Sequence, residues 1–254
     1  MVCAVMSYLL IEMVVYRGAS TFYFYTQWTF TLVIIYFLIA TLISAHGCWT
    51  YSRRYVIENE EVARRLLERD FEANLPEVLI SRTNENGNSV KLQNYHEQGE
   101  NEQMAGFWGY TMQIVYQASG GASILTDLTF WFLLVPFADP EYLSINPVRG
   151  SFHSLNVVFL LLDTALNRQQ FPFFRVAYFI LWTFAYLTFQ WILHACGLQQ
   201  WPYPFLDLNT PSAPLWYFSM GLFHIPCYGM YSLIVKAKNS ACSKFFPQSY
   251  ATSC

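Results

Sequence analysis

The chain has 254 residues, of which 54% are hydrophobic and only 12% charged, against roughly 25% charged in an ordinary soluble domain. Its formal net charge of -3 is too small to imply a nucleic-acid or acidic-surface partner. The charges concentrate in residues 52–104, leaving apolar blocks on either side, which is the pattern of an all-α polytopic membrane protein with one hydrophilic loop.

In chain order the apolar blocks fall at about 1–16, 22–51, 107–137, 150–167, 176–197 and 213–235. A helix needs about 20 apolar residues to cross the hydrocarbon. Six spans are expected, or five if the first block does not cross. That first block carries Glu12 and reads as a span missing its outer turns; it has neither a basic leading region nor a small-residue cleavage site, so it is not read as a signal peptide. The fourth block is short, but Arg149 and Arg168 flank it and can snorkel.

The polar loop, 52–104, opens with "EEVARRLLERDF", where Val62, Leu66, Leu67 and Phe71 recur at helical spacing, so an amphipathic helix is expected beside the membrane. The later run "SRTNENGNSVKLQNYHEQGENEQ" lacks an apolar period and is expected to be a disordered tether. The whole chain, 1–254, reads as a single integral membrane domain. With both termini in the cytosol, twelve of the 14 Lys and Arg lie on the cytosolic side. The outer loops "ADPEYLSINP" and "GLQQWPYPFLDLNTP" are then acidic or neutral. An endomembrane (endoplasmic reticulum) or plasma-membrane location is expected. The six Cys show no metal-finger spacing, and Cys242 past the last span suits palmitoylation.

Polar groups inside spans are few and each needs a reason. The stretch "FYFYTQWTFT" (residues 22–31) puts Thr26 and Thr29 where the second span begins, Thr29 roughly 10 Å beyond Phe22 at 1.5 Å per residue. His153 opens the fourth span and His194 closes the fifth, so two hydroxyls and two imidazoles converge on one depth. Thr26 and Thr29 share a helix face, as do His153 and Asn156. A threonine hydroxyl becomes a nucleophile when a neutral histidine takes its proton, and an amide such as Asn156 can orient the ring or donate to an oxyanion. The bland alternative is that the threonines bond their own i−4 carbonyls and the histidine bridges helices. The five His stand singly, without the clusters of di-metal oxygenases, and neither metal nor cofactor is required. Asp127 and Asp163 with His46 or His224 could instead carry protons in a transporter. The pair Gly120-Gly121 in "YQASGGAS" reads as close helix packing.

"FYTQW", "HSLNVVFLLLDTALN" and "YPFLDLNTP", in this order among the spans, resemble the rolling stone-like transmembrane family, plant-type members above all. The likeness runs from about Phe22 to Lys238 and implies a multi-pass membrane protein. More distantly, the chain is similar to the androgen-induced protein family of transmembrane threonine hydrolases. That resemblance implies cleavage of fatty acid esters of hydroxy fatty acids by one Thr and one His within the membrane. The family's Thr falls on Thr26 or on Thr29 beside Trp28, and its His falls on His153. The expected site is therefore Thr26, Thr29 and His153 for chemistry, with Asn156, His194 and Trp28 around the substrate. The partners are membrane lipids and a lipid ester, with no nucleic acid. The alternatives are a non-enzymatic scaffold or fusion-type factor, and a small-solute transporter.

Overall fold

In the computed structural model the described residues are 2–72, 86–137 and 147–245, with side chains at 58, 62–63, 66–72, 86–105, 137 and 147–153 left out of the description. Most of these residues are helical, with no strand among them. Helix α1 is Val2–Arg17 and passes through a 3-10 turn, Gly18–Tyr23, into α2, Tyr25–Glu72. Helix α3 runs over Asn86–Leu128 and widens into a π-helical turn, Thr129–Leu134. Helices α4 (Pro147–Leu166), α5 (Val176–Ala195) and α6 (Ala213–Phe245) complete the chain.

Among the described residues, four helical segments are long and apolar enough to cross a membrane: Val2–Tyr23, Tyr25–Glu61, Phe173–Ala195 and Ala213–Phe245. Ser154–Leu166 is a shorter apolar helix. Most of their large apolar side chains face outward, for example Val15, Leu38, Leu181 and Leu233. A helix that is apolar on its exposed face has lipid, not water, as its solvent. This is a membrane protein.

The polar segment differs from its sequence reading. The helix expected at Glu58 to Phe71 is not separate from the second span; α2 runs without a break from Tyr25 to Glu72. Residues 86–103, expected as a tether, belong to α3, while residues 73–85 lie outside the described residues. Backbone hydrogen bonding inside a helix does not depend on side-chain polarity, so the end of an apolar run need not end the helix.

The chain forms two compact units, Met1–Leu38 with Met112–Cys254, and Ile39–Thr111. In the smaller unit Arg53 stacks 4.9 Å over the Trp49 ring, and Arg65 pairs with Glu61 at 3.7 Å on an exposed helix face. Such an exposed pair contributes little to stability.

The larger unit has an aromatic and hydroxyl core. Thr164 of α4 hydrogen-bonds the phenols of Tyr116 (α3) and Tyr231 (α6), each at 2.7 Å. Tyr36 of α2 donates to Asp163 at 2.5 Å, and Asn167 donates to the same carboxylate at 2.8 Å. Helix α3 fits between its neighbours because it lacks side chains where they press closest. A Cβ at Gly120 would lie 2.8 Å from the Tyr231 ring, and one at Gly121 would lie 2.7 Å from the Phe179 ring. Close approach at small residues is how membrane helices gain packing without a hydrophobic driving force.

Candidate functional site

A cavity of about 160 Å³ opens where the start of α2, the end of α3, the middle of α5 and the first half of α6 meet. The loop between α5 and α6 closes it through Tyr203, Phe205 and Leu206. No Asp, Glu, Lys or Arg lines it among the described residues; its polar groups are hydroxyls and one imidazole. Whatever chemistry it supports must run on neutral groups.

The imidazole belongs to His224. Its Nδ1 lies 2.7 Å from the Met220 carbonyl oxygen, one turn back along α6. A carbonyl only accepts, so Nδ1 carries the proton and Nε2 presents a lone pair. Thr183 Oγ1 of α5 has two acceptors for its one proton, that nitrogen at 2.9 Å and the Phe179 carbonyl one turn back at 3.3 Å, and the shorter contact is to His224. The phenol of Tyr25 sits 2.7 Å from the same Thr183 oxygen. With the threonine proton directed to His224, Tyr25 is the donor in that bond. The Phe179 ring stacks on the imidazole at 4.5 Å and holds its plane. The result is a directed chain, Tyr25 to Thr183 to His224 to a backbone carbonyl. A hydroxyl bonded to an imidazole of fixed tautomer is the geometry that activates an alcohol nucleophile.

Tyr203 forms the roof. Its oxygen accepts the Tyr25 backbone N–H at 3.1 Å, and a side-chain hydrogen bond joins it to Thr26. Burial pushes the Tyr203 phenol up to about 12, so it stays protonated at any ordinary pH.

The residues expected from sequence are distributed unevenly. Thr26 is buried and lines the cavity. Thr29 does not line it: it is fully buried and its hydroxyl lies 3.1 Å from that of Thr126 on α3. Trp28 also stays outside, its indole N–H bonded to the Phe22 carbonyl at 2.9 Å and its ring packed on Trp182, Tyr186 and Phe189. His194 is stacked on Trp201 at 4.2 Å rather than on the cavity. Asn156 is fully buried on α4, with no hydrogen-bond partner for its amide among the described residues. The backbone of His153 lies in α4, but its side chain falls outside the described residues.

Sequence reasoning passed over Thr183 and weighed His224 only as a proton carrier. A depth count would have joined them. Thr183 lies twelve residues before the end of α5 and His224 eleven residues after the start of α6, roughly 17 Å from the same end of the pair. Among the described residues, no three His, Cys, Asp or Glu converge to hold a metal ion. No family model, curated protein or solved structure matches the chain.

Proposed function

We propose that this membrane protein cleaves a lipid ester inside the bilayer, with Thr183 as nucleophile and His224 as its base. The observation that carries the reading is the 2.9 Å contact between Thr183 Oγ1 and His224 Nε2 on the wall of a largely apolar cavity. Thr183 Oγ1 attacks the ester carbonyl carbon as its proton passes to Nε2. The tetrahedral oxyanion collapses, the C–O bond to the alcohol breaks, and Nε2 returns the proton to the leaving oxygen. Water then attacks the acyl-threonine carbonyl, giving its proton to Nε2, and the acid departs as Thr183 is reprotonated. The Tyr25 O–H, which donates to the Thr183 oxygen in the resting site, turns to the developing oxyanion once that oxygen bonds the carbonyl carbon. The Met220 carbonyl stabilises the imidazolium by holding its other N–H.

A second reading keeps the chemistry but moves it to Thr26 and His153, as the likeness to threonine hydrolases implies. What favours it is that Thr26 lines the same cavity. A non-enzymatic scaffold has its own support in the Thr29–Thr126 bridge, which is a helix-joining contact of the ordinary kind. The six-span topology, the cytosolic termini and an endomembrane location belong to the proposal as well. An activated fluorophosphonate incubated with membranes holding the protein tests the central claim. Covalent labelling of wild type that disappears in Thr183→Ala supports it. Labelling that disappears in Thr26→Ala alone moves the nucleophile, and absence of both labelling and ester hydrolysis in wild type leaves the scaffold.

A further inference from the structure

A groove of about 290 Å³ runs along the outside of the larger unit, between the end of α3 and the first half of α6. Leu128, Phe132 and Leu133 form its α3 wall, and Ser219 and Phe223 form its α6 wall. Its floor is made by Thr129 and Met220, and both residues also line the cavity described above. Groove and cavity are therefore neighbours across one pair of side chains, and the Met220 carbonyl is the one that holds His224. The outer edge is open: Phe132 is 73% exposed.

We propose that this groove is the entry and binding channel for one acyl chain of a membrane lipid, which reaches the Thr183–His224 pair sideways from the bilayer. The inference rests on the hydrolase reading for the fate of the ester, but the binding of the chain does not depend on it. Three features point to this occupant. Apart from Ser219 the walls are aliphatic and aromatic, matching a hydrocarbon chain and offering no charge for a polar solute. The groove abuts a site whose polar groups lie just beyond its floor, so an acyl chain lying along it holds its ester oxygen one side chain away from those hydroxyls. At the junction the Thr129 hydroxyl is buried with no hydrogen-bond partner among the described residues. Threonines inside helices usually bond the i−4 carbonyl. Here the ladder changes to i→i−5 spacing, as the Val135 N–H bonded to the Phe130 carbonyl shows. Single π-helical turns of this kind recur at functional sites. The freed hydroxyl is placed to bond an ester oxygen passing from groove to cavity.

The test uses the full-length protein in phospholipid vesicles with a long-chain fatty acyl ester carrying a diazirine near the chain end. After irradiation, crosslinked peptides are mapped by mass spectrometry. Adducts are expected on residues 128–133 and 219–223, competed by unlabelled ester. Ser219→Trp, which fills the α6 wall, should reduce them at least tenfold, and Ser219→Ala should not. Leu133→Trp on the opposite wall repeats the block should Ser219→Trp fail to accumulate. Adducts that ignore both tryptophan variants, or that fall only on α1, overturn the channel even if ester hydrolysis is found. Crosslinking in the groove without hydrolysis by wild type supports the channel and removes the hydrolase reading instead.

Discussion

Thr183 and His224 come from different helices, 41 residues apart in sequence, yet the hydroxyl of one lies 2.9 Å from the open ring nitrogen of the other. The pair behaves as one unit only if its members are interdependent. Thr183→Ala and His224→Ala should each lower ester hydrolysis by roughly 10²- to 10⁴-fold, the scale of a general-base contribution. The double variant should be no worse than the more damaging single one, because residues acting together are strongly non-additive. Thr183→Ser should retain part of the activity. Additive losses in turnover assays would separate the two residues mechanistically.

Thr26 and Thr29 should part company. Thr26→Ala removes a group from the cavity wall and from Tyr203, so activity should fall while the protein still accumulates. Thr29→Ala breaks a bridge to Thr126, but the Thr126 hydroxyl keeps its bond to the Ala122 carbonyl at 2.7 Å. Its cost should therefore appear in stability, roughly 0.6 to 2 kcal/mol, with a smaller loss of turnover than Thr26→Ala, since Thr29 also hydrogen-bonds the Tyr25 phenol. Denaturation in mild detergent alongside hydrolysis assays distinguishes the two.

How much of this was legible in the sequence depends on what kind of signal each residue leaves. Gly120-Gly121 was legible as close packing, because adjacent small residues in an apolar span have few other uses. Thr26 was legible by depth, since hydroxyls at the mouth of a span stand out. Thr183 was not, because it lies inside the aromatic run "LWTFAYLTFQW", where a lone threonine looks like any back-bonded hydroxyl. The groove left no signal either: it depends on where α3 changes its hydrogen-bond spacing, and composition does not mark that change. The length of α2 was misjudged for a related reason, as the apolar run stops near Tyr51 while the backbone ladder continues to Glu72.

Gly120→Ala and Gly121→Ala test the seat of α3. Each new methyl would come within 2.8 Å of a buried aromatic ring, Tyr231 in one case and Phe179 in the other. Overpacking of this sort costs about 1 to 3 kcal/mol. Gly121→Ala should also impair turnover, because Phe179 is the ring stacked on His224. Thermal unfolding with a parallel activity assay reads both effects, and a Gly121→Ala protein as stable and active as wild type would refute the account.

Tyr203 supplies a pH dependence. Burial raises its folded value to about 12 from 10.0. The stabilising contribution is thus complete below pH ~10 and is lost as pH rises through about 12, since the unfolded chain ionises first. The loss should reach roughly 2 to 3 kcal/mol. Stability measured from pH 8 to 12 should fall less steeply in Tyr203→Phe than in wild type. Parallel curves would show that the phenol is not shielded as described.

The bond from the Tyr25 N–H to the Tyr203 oxygen has a consequence for biosynthesis. The residue before α2 is Phe24, whose side chain can cap nothing, so a first-turn N–H of this helix is satisfied by a phenol 178 residues further along the chain. A ribosome delivers the start of α2 long before it delivers that phenol. Until the loop after α5 has been made and folded back, this end of α2 carries an unanswered donor, and the Tyr23 carbonyl beside it still awaits Tyr186 and Gln190 of α5. The mouth of the cavity is therefore among the last parts of the molecule to close. A nascent chain stopped before residue 203 holds Thr26 and Thr183, but neither the phenol that bonds the first nor the imidazole that the second faces.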